Sequence, residues 1–220
     1  TKSGWTLSGR DGFVDGTKRR WVGRLRRFLE LEPTAELSLE IMAALGLESS
    51  RQEWEQVCER LGALATPRLV ERLGLLGLLR GEDERRLEME SESLQEELER
   101  RARERGRWRS INMCIASSLS HDEPERRANH YLAADIPIAA IEDLIAAATR
   151  RLARGELLRT HTLLDRLEAI LATLGEDHAS ERELLLARAG ALRADCFDLQ
   201  GRYLEARDVA NNVLESATKL

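Results

Sequence analysis

Residues 194–213 read ADCFDLQGRYLEARDVANNV, and this stretch decides the fold that we expect for the second half of the chain. Small residues stand at Ala194 and Ala206 on either side of Gly201, and Phe197 follows Ala194 by three positions. Glycine closes a helix at little cost because it adopts the left-handed backbone conformation readily. Small side chains allow two helices to pack closely. The stretch therefore predicts two antiparallel helices joined by a tight turn at Gly201.

The same organisation extends back towards residue 124. A weaker copy of the hairpin pattern has Ala148, Leu152 and Gly155, with Thr160 in place of the second alanine. Apolar residues recur at spacings of three and four, as expected for amphipathic helices. The helices predicted on this basis cover residues 124–133, 137–153, 156–174, 180–199 and 202–217. The polar stretch Ser120–Pro124 interrupts the pattern, so we place a boundary there and expect residues 121–220 to form a helical array.

Residues 30–120 show a different order of elements. Apolar stripes predict three helices between Pro33 and Gly77, and Ser50 and the pair Thr66–Pro67 are typical of helix N-termini. Residues 78–89 then alternate around a polar turn at residues 81–84, which predicts a short β-hairpin. Two more helices, over 94–105 and 108–119, would connect this unit to the array. Three helices followed by a hairpin is the order of a winged helix.

Residues 1–29 are basic, with eight Lys and Arg against two Asp, a local charge of 8 − 2 = +6. Four glycines predict a loose arm up to Thr17, and the spacing of Trp21, Leu25 and Phe28 predicts an amphipathic helix after it. The cations could dock on an acidic partner domain, or Trp5 and Trp21 could stack on bases. We favour docking. The chain opens without methionine, so we expect a piece of a longer protein.

Composition limits the classes of function. The 220 residues are 42% hydrophobic and 33% charged, with 31 Arg, 3 Lys and a net charge of −5, which argues against general attraction to nucleic acid or to an anionic membrane. The sequence contains no apolar run long enough to span a bilayer. Three cysteines, an odd number far apart in the sequence, are typical of buried thiols in a reducing compartment. We therefore expect a cytoplasmic protein.

The quoted hairpin resembles a tetratricopeptide repeat, although Gly155 and Gly201 are 46 residues apart and the usual period is about 34. Residues 128–135, ANHYLAAD, together with the elements before them resemble the signal-transduction ATPases with numerous domains, the STAND class of bacterial regulators and kinase fusions. The resemblance covers roughly residues 25–220, and departs from the family at Ser91 and Asp135. It implies a mainly α fold, with a winged-helix-like unit and short hairpin followed by an antiparallel tetratricopeptide-like array.

The sequence shows no motif typical of nucleotide binding, metal binding or nucleophilic catalysis. It lacks the Gly-Lys-Ser or Gly-Lys-Thr string of a phosphate-binding loop, so if the parent protein binds ATP we expect the site upstream. The four histidines have no metal-binding spacing, and no cysteine pair resembles a zinc site. The nucleophile elbow Gly-x-Ser-x-Gly is also missing. We expect no catalytic residue, no metal and no cofactor in this chain.

The function expected from these patterns and from the resemblance is that of a non-catalytic regulatory module. The array would bind a protein or peptide, and the winged-helix-like unit would transmit binding to an upstream nucleotide-binding domain of the same chain. Exposed polar residues of the last hairpin are the candidate partner-binding residues: Arg193, Asp208, Asn211 and Asn212. A DNA-binding regulator with a helical effector domain is the alternative, and a hydrolase without a recognisable motif is a weaker third reading.

Overall fold

The computed structural model describes residues 10–80, 85–175 and 179–217. The protein is mainly helical, and these residues form eleven α-helices, one short 3-10 helix and a three-stranded antiparallel sheet. The chain divides into two compact units, residues 1–118 and residues 119–220.

The first helix, α1, spans Arg10–Leu31 and is longer than the sequence predicts. The expected loose arm up to Thr17 is wrong for residues 10–17, and residues 1–9 lie outside the described part. Glycine weakens a helix by only about 1 kcal/mol relative to alanine, and no proline or capping residue stops this one. The predicted stripe of Trp21, Leu25 and Phe28 is buried and anchors the C-terminal half of α1 in the core.

The first unit continues with alternating helices and strands. Its sheet has the order β1-β3-β2, with Ser49 opposite Leu87 and Leu79 opposite Met89. The elements after α1 are a 3-10 helix Pro33–Ala35, α2 Glu36–Leu45, β1 Glu48–Ser50, α3 Arg51–Leu61, α4 Pro67–Leu75, β2 Leu79–Arg80, β3 Arg86–Met89, α5 Glu92–Glu104 and α6 Trp108–Ser118.

The predicted helix starts and the hairpin strands are present. The Ser50 hydroxyl accepts a hydrogen bond from the Glu53 amide, and the Thr66 hydroxyl accepts one from the Leu69 amide at 3.2 Å. The predicted turn at residues 81–84 lies outside the described residues. Strand β1 is a correction to the sequence analysis, which predicts only two strands. Its three residues, Glu-Ser-Ser, are too few and too polar to show an alternating pattern.

An ion pair between a buried carboxylate and a partly exposed arginine joins α2 to the loop between α5 and α6. The Glu40 side chain is completely buried, and Arg107 Nε donates a hydrogen bond to its carboxylate at 2.6 Å. Arg107 also reaches Glu36 at 3.3 Å, and Arg105 lies 2.9 Å from the same carboxylate. Burial raises the pKa of Glu40, and the hydrogen bond from Arg107 limits the rise.

The second unit is built from helices alone in its described part. Their bounds are α7 Pro124–Ala133, α8 Pro137–Ala153, α9 Leu157–Leu171, α10 Ala179–Leu199 and α11 Tyr203–Ala217. Gly155 and Gly201 close their helices at φ of 71° and 73°, as the sequence predicts. Asp135 takes the same left-handed conformation at φ 57°, so the first turn forms without its glycine. Asp is one of the few other residues that tolerate this region.

The core of the second unit follows the predicted stripes. Buried leucines of α8 and α9 and buried alanines of α7, α8 and α10 belong to one apolar cluster, as expected for closely packed helices. The cluster residues with the least exposure, 0–1%, are Ala128, Ala140, Leu144, Ala148, Leu164, Leu167, Leu171 and Ala189. Helix α9 ends at Leu171, three residues earlier than predicted.

Candidate functional site

A groove of about 670 Å³ lies in the second unit and is formed by the end of α9, by α10 and by α11. We call it the α9–α11 groove. Its volume lies in the range of sites that hold ligands or side chains of a bound partner. The residues that line it are Glu168, Ala172, Arg182, Glu183, Leu186, Ala187, Gly190, Arg193, Val209, Asn212 and Val213.

Two kinds of side chain meet in the α9–α11 groove. Leu186, Ala187, Gly190, Val209 and Val213 provide an apolar surface between α10 and α11. Two carboxylates and two guanidinium groups, from Glu168, Glu183, Arg182 and Arg193, lie among them. Among the described lining residues the opposite charges balance, so these residues give no net preference for an anion or a cation. An apolar surface with a few charged groups is suited to a peptide with mixed side chains.

Gly190 determines how closely α11 lies against α10. A Cβ atom at Gly190 would overlap the Cγ2 atom of Val213, so only glycine allows this approach. The small residue Ala187 stands one turn earlier on the same face of α10. The groove is thus lined by small residues of α10, Ala187 and Gly190, and by the short side chains of Val209 and Val213 on α11.

Arg193 links α10 to α9 on the side of the groove away from α11. Its guanidinium lies 2.8 Å from Asp165 and 2.9 Å from Glu168, both on α9. The side chain is only 18% exposed, so the expectation of an exposed Arg193 is wrong. The long arginine side chain lies across the α9–α10 interface, and spacing along one helix gives no sign of that. Its place in the groove is fixed by the two carboxylates.

The other three predicted residues lie on α11. Asn212 lines the α9–α11 groove with Arg193, whereas Asp208 and Asn211 are exposed and do not line it. The structure therefore brings two of the four candidates together at the groove. Sequence analysis missed the contribution of α10 upstream of Arg193, namely residues 182–190. The small residues Ala187 and Gly190, one turn apart, were the available signal.

The aromatic residue of the quoted hairpin packs between helices. The Phe197 ring lies 5.1 Å from the His161 ring of α9, and the guanidinium of Arg202 stands 4.3 Å from the same ring. Gln200 Nε2 lies 3.3 Å from His161 Nε2. These contacts pack His161 against the end of α10 and hold the turn at Gly201 against α9.

The cysteine thiols of the core are poor nucleophiles. Burial raises the pKa of Cys58 to about 12 and also raises the pKa of Cys196. Both stay protonated at neutral pH, and a thiol reacts through its thiolate. Over the described ranges, no group of three His, Cys, Asp or Glu side chains is arranged to hold a metal ion. None of the described helices is long and apolar enough to cross a membrane.

Comparison with known proteins finds no match: no family model, no curated protein and no solved structure is significantly similar to this chain.

Proposed function

We propose that the protein is a non-catalytic interaction module whose second unit binds a peptide segment of a partner protein in the α9–α11 groove. The observation that carries this proposal is the groove itself, with an apolar surface at Leu186, Ala187 and Val213 and charged groups among these residues. Apolar side chains of a peptide would gain burial there, and Arg182 and Glu183 would orient its polar groups.

The element order of each unit supports a finer assignment, which is part of this proposal. In the first unit, the order from α2 to β3 with the sheet arranged β1-β3-β2 is that of a winged helix. In the second unit, α8 to α11 alternate with left-handed turns at Gly155 and Gly201, as in tetratricopeptide-like repeats. We infer that the chain is the winged-helix and repeat region of a STAND-class regulator.

Such a regulator would couple the groove to a nucleotide-binding domain upstream. Coupling requires that the partner binds one arrangement of the domains more tightly than the other. The upstream reading frame provides a direct check: it should encode a glycine-rich loop ending in Gly-Lys-Ser or Gly-Lys-Thr. A reading frame that starts immediately before Thr1 would contradict the coupling mechanism and leave only the interaction module.

Peptide selection tests the groove. A library of random peptides displayed on phage would be selected on the full chain, and binders would be measured by calorimetry. Ala187→Phe fills the groove, and Ala191→Phe is the matched control because Ala191 lies one turn away on α10, is exposed and does not line the groove. We expect the first variant to weaken binding by about tenfold or more and the second to leave it unchanged. Equal effects, or selection of no peptide, would contradict the proposal.

DNA binding is the second candidate, because the proposed winged helix would present α4 to a major groove. In the described residues, part of the positive charge of α4 and of the hairpin is neutralised or offset by carboxylates. Arg72 pairs with Glu32, Arg80 lies 2.9 Å from Glu90, and Glu71 is exposed on α4. We therefore expect no binding to random duplex DNA even at low salt. Measurable affinity that falls steeply with added salt would support the DNA-binding alternative.

A further inference from the structure

A second groove, of about 460 Å³, lies in the first unit between α1 and α4. We call it the α1–α4 groove. It is separate from the α9–α11 groove, and it contains Arg24 and Arg27 of the basic stretch that we expect to dock on an acidic partner. The residues described around it are Gly23, Arg24, Arg27, Phe28, Leu31, Arg72, Leu75 and Leu76.

The apolar part of the α1–α4 groove is unusually exposed. Leu75 is 88% exposed at the end of α4, and Leu31 is 71% exposed at the end of α1. Phe28 is buried beneath them and Leu76 is half-buried. Two leucines exposed to this degree on either side of one groove leave apolar surface that a bound partner would cover.

The polar part is positively charged. Three of the eight lining residues are arginines and none is acidic. Arg72 is neutralised by Glu32 and faces the ring of Phe28 at 5.6 Å. Arg24 donates a hydrogen bond from Nη1 to the Leu76 carbonyl at 3.1 Å, which holds its charge at the edge of the groove. Arg27 is exposed beside it.

We propose that the α1–α4 groove docks an acidic amphipathic helix of a partner protein or partner domain. Leucine-like side chains of that helix lie on Leu31, Phe28 and Leu75, and its carboxylates face Arg24 and Arg27. Because the lining is positively charged, the bound segment should carry negative charge. Because Leu31 and Leu75 are exposed, it should also have apolar side chains that cover them. A nucleic-acid backbone would meet the arginines but leave the leucines uncovered.

A labelled model peptide tests this proposal on the full chain. The probe is a fluorescein-labelled helical peptide in which leucines recur with helical spacing and glutamates fill the other positions. The matched peptide has lysine in place of glutamate. We expect saturable binding of the glutamate peptide by fluorescence anisotropy, weakening as salt is added. Lack of binding up to millimolar protein, or equal binding of the lysine peptide, would overturn the proposal.

Paired variants locate the bound peptide. Leu75→Glu places a charge in the groove, and Leu158→Glu is its control because Leu158 is 80% exposed on α9 in the other unit. Arg27→Gln removes a groove cation, and Arg26→Gln is its control because Arg26 lies outside the groove and pairs with Glu30. We expect the groove variants to weaken binding by about tenfold and about threefold, respectively, and the controls to leave it unchanged.

Nucleic acid is the competing occupant that the same assay distinguishes. All four variants change highly exposed or surface residues, and circular dichroism verifies that they fold. If Leu75→Glu and Leu158→Glu bind the glutamate peptide equally, the groove is not its site and the proposal fails. If labelled random duplex DNA binds the chain and Leu75→Glu abolishes that binding, the groove belongs to nucleic acid and the proposal is overturned.

Discussion

In the first unit, burial of the Glu40 carboxylate costs desolvation free energy. The buried Glu40 carboxylate has a raised pKa, which means that its desolvation outweighs the favourable interaction with Arg107. Such a pair adds little to stability compared with apolar residues, yet losing one partner is expensive because the other charge remains buried. Its main effect is to fix the position of one segment of the chain. It fixes the loop after α5 against α2, beside the buried residues Leu39 and Met42.

Replacing only one partner of this pair should destabilise the protein. Arg107→Met leaves the Glu40 carboxylate buried without its main cation, so we expect a loss of about 2 kcal/mol or more in the free energy of unfolding at pH 7. Arg107 is about one-third exposed, which keeps the loss below that of a fully buried pair. The double variant Glu40→Met with Arg107→Met should recover at least half of it. Urea unfolding measures both, and an additive double variant would contradict this account.

The raised pKa of Glu40 also predicts a pH dependence of known sign. The folded protein binds this proton more tightly than the unfolded chain does, so the stabilising contribution is complete below the ordinary value of 4.5. It is lost as the pH rises through the folded-state pKa. Relative to Glu40→Gln, the wild type should therefore lose stability from pH 4 to pH 7 in urea unfolding. A difference that grows with pH would show that the pKa is lowered instead.

At the scale of elements, close helix contacts and tight turns decide the geometry of the second unit. Periodic apolar residues predict α7 to α11 well because each helix buries one stripe. The α9–α11 groove could not be predicted in the same way. It depends on where α9 ends, on the approach of α11 at Gly190 and on an arginine that reaches across two helices. These features join residues far apart in the sequence.

The contact at Gly190 provides a test of this geometry. Gly190→Ala should lower the free energy of unfolding by about 1–3 kcal/mol, because the new methyl group overlaps Val213. Adding Val213→Ala should relieve the overlap, so the double variant should be more stable than the sum of the two single changes. Gly74→Ala in α4, where the added methyl meets open space, should instead gain about 0.5–1 kcal/mol. Similar losses at both glycines would contradict the proposed close approach.

The turns make a separate prediction. Gly155→Ala and Gly201→Ala should each cost about 1 kcal/mol in thermal unfolding, because both positions have positive φ and alanine avoids that conformation. Gly175→Ala is the control, since Gly175 has neither positive φ nor a close neighbour. Equal stability of all three variants would argue against left-handed turns.

For the whole molecule, the mainly helical class follows from composition and periodicity, whereas the helical state of residues 10–17 and strand β1 do not. Helix α1 continues through Gly12 and Gly16 because scattered glycines weaken a helix without ending it. Strand β1 forms because it pairs with β3, and a three-residue segment is too short to show an alternating pattern in the sequence. The basic character of residues 1–29 is visible in the sequence. The apolar residues that accompany Arg24 and Arg27 in a groove emerge only when α4 is placed beside α1.

The central claim is that the second unit binds a peptide in the α9–α11 groove. Methyl NMR of the full chain, titrated with a peptide selected on it, tests this claim most directly. We expect the methyl resonances of Leu186, Val209 and Val213 to shift in a saturable manner, while those of the exposed Leu158, outside the groove, stay in place. Shifts confined to other faces of the molecule, with the three groove residues unchanged at saturation, would contradict it.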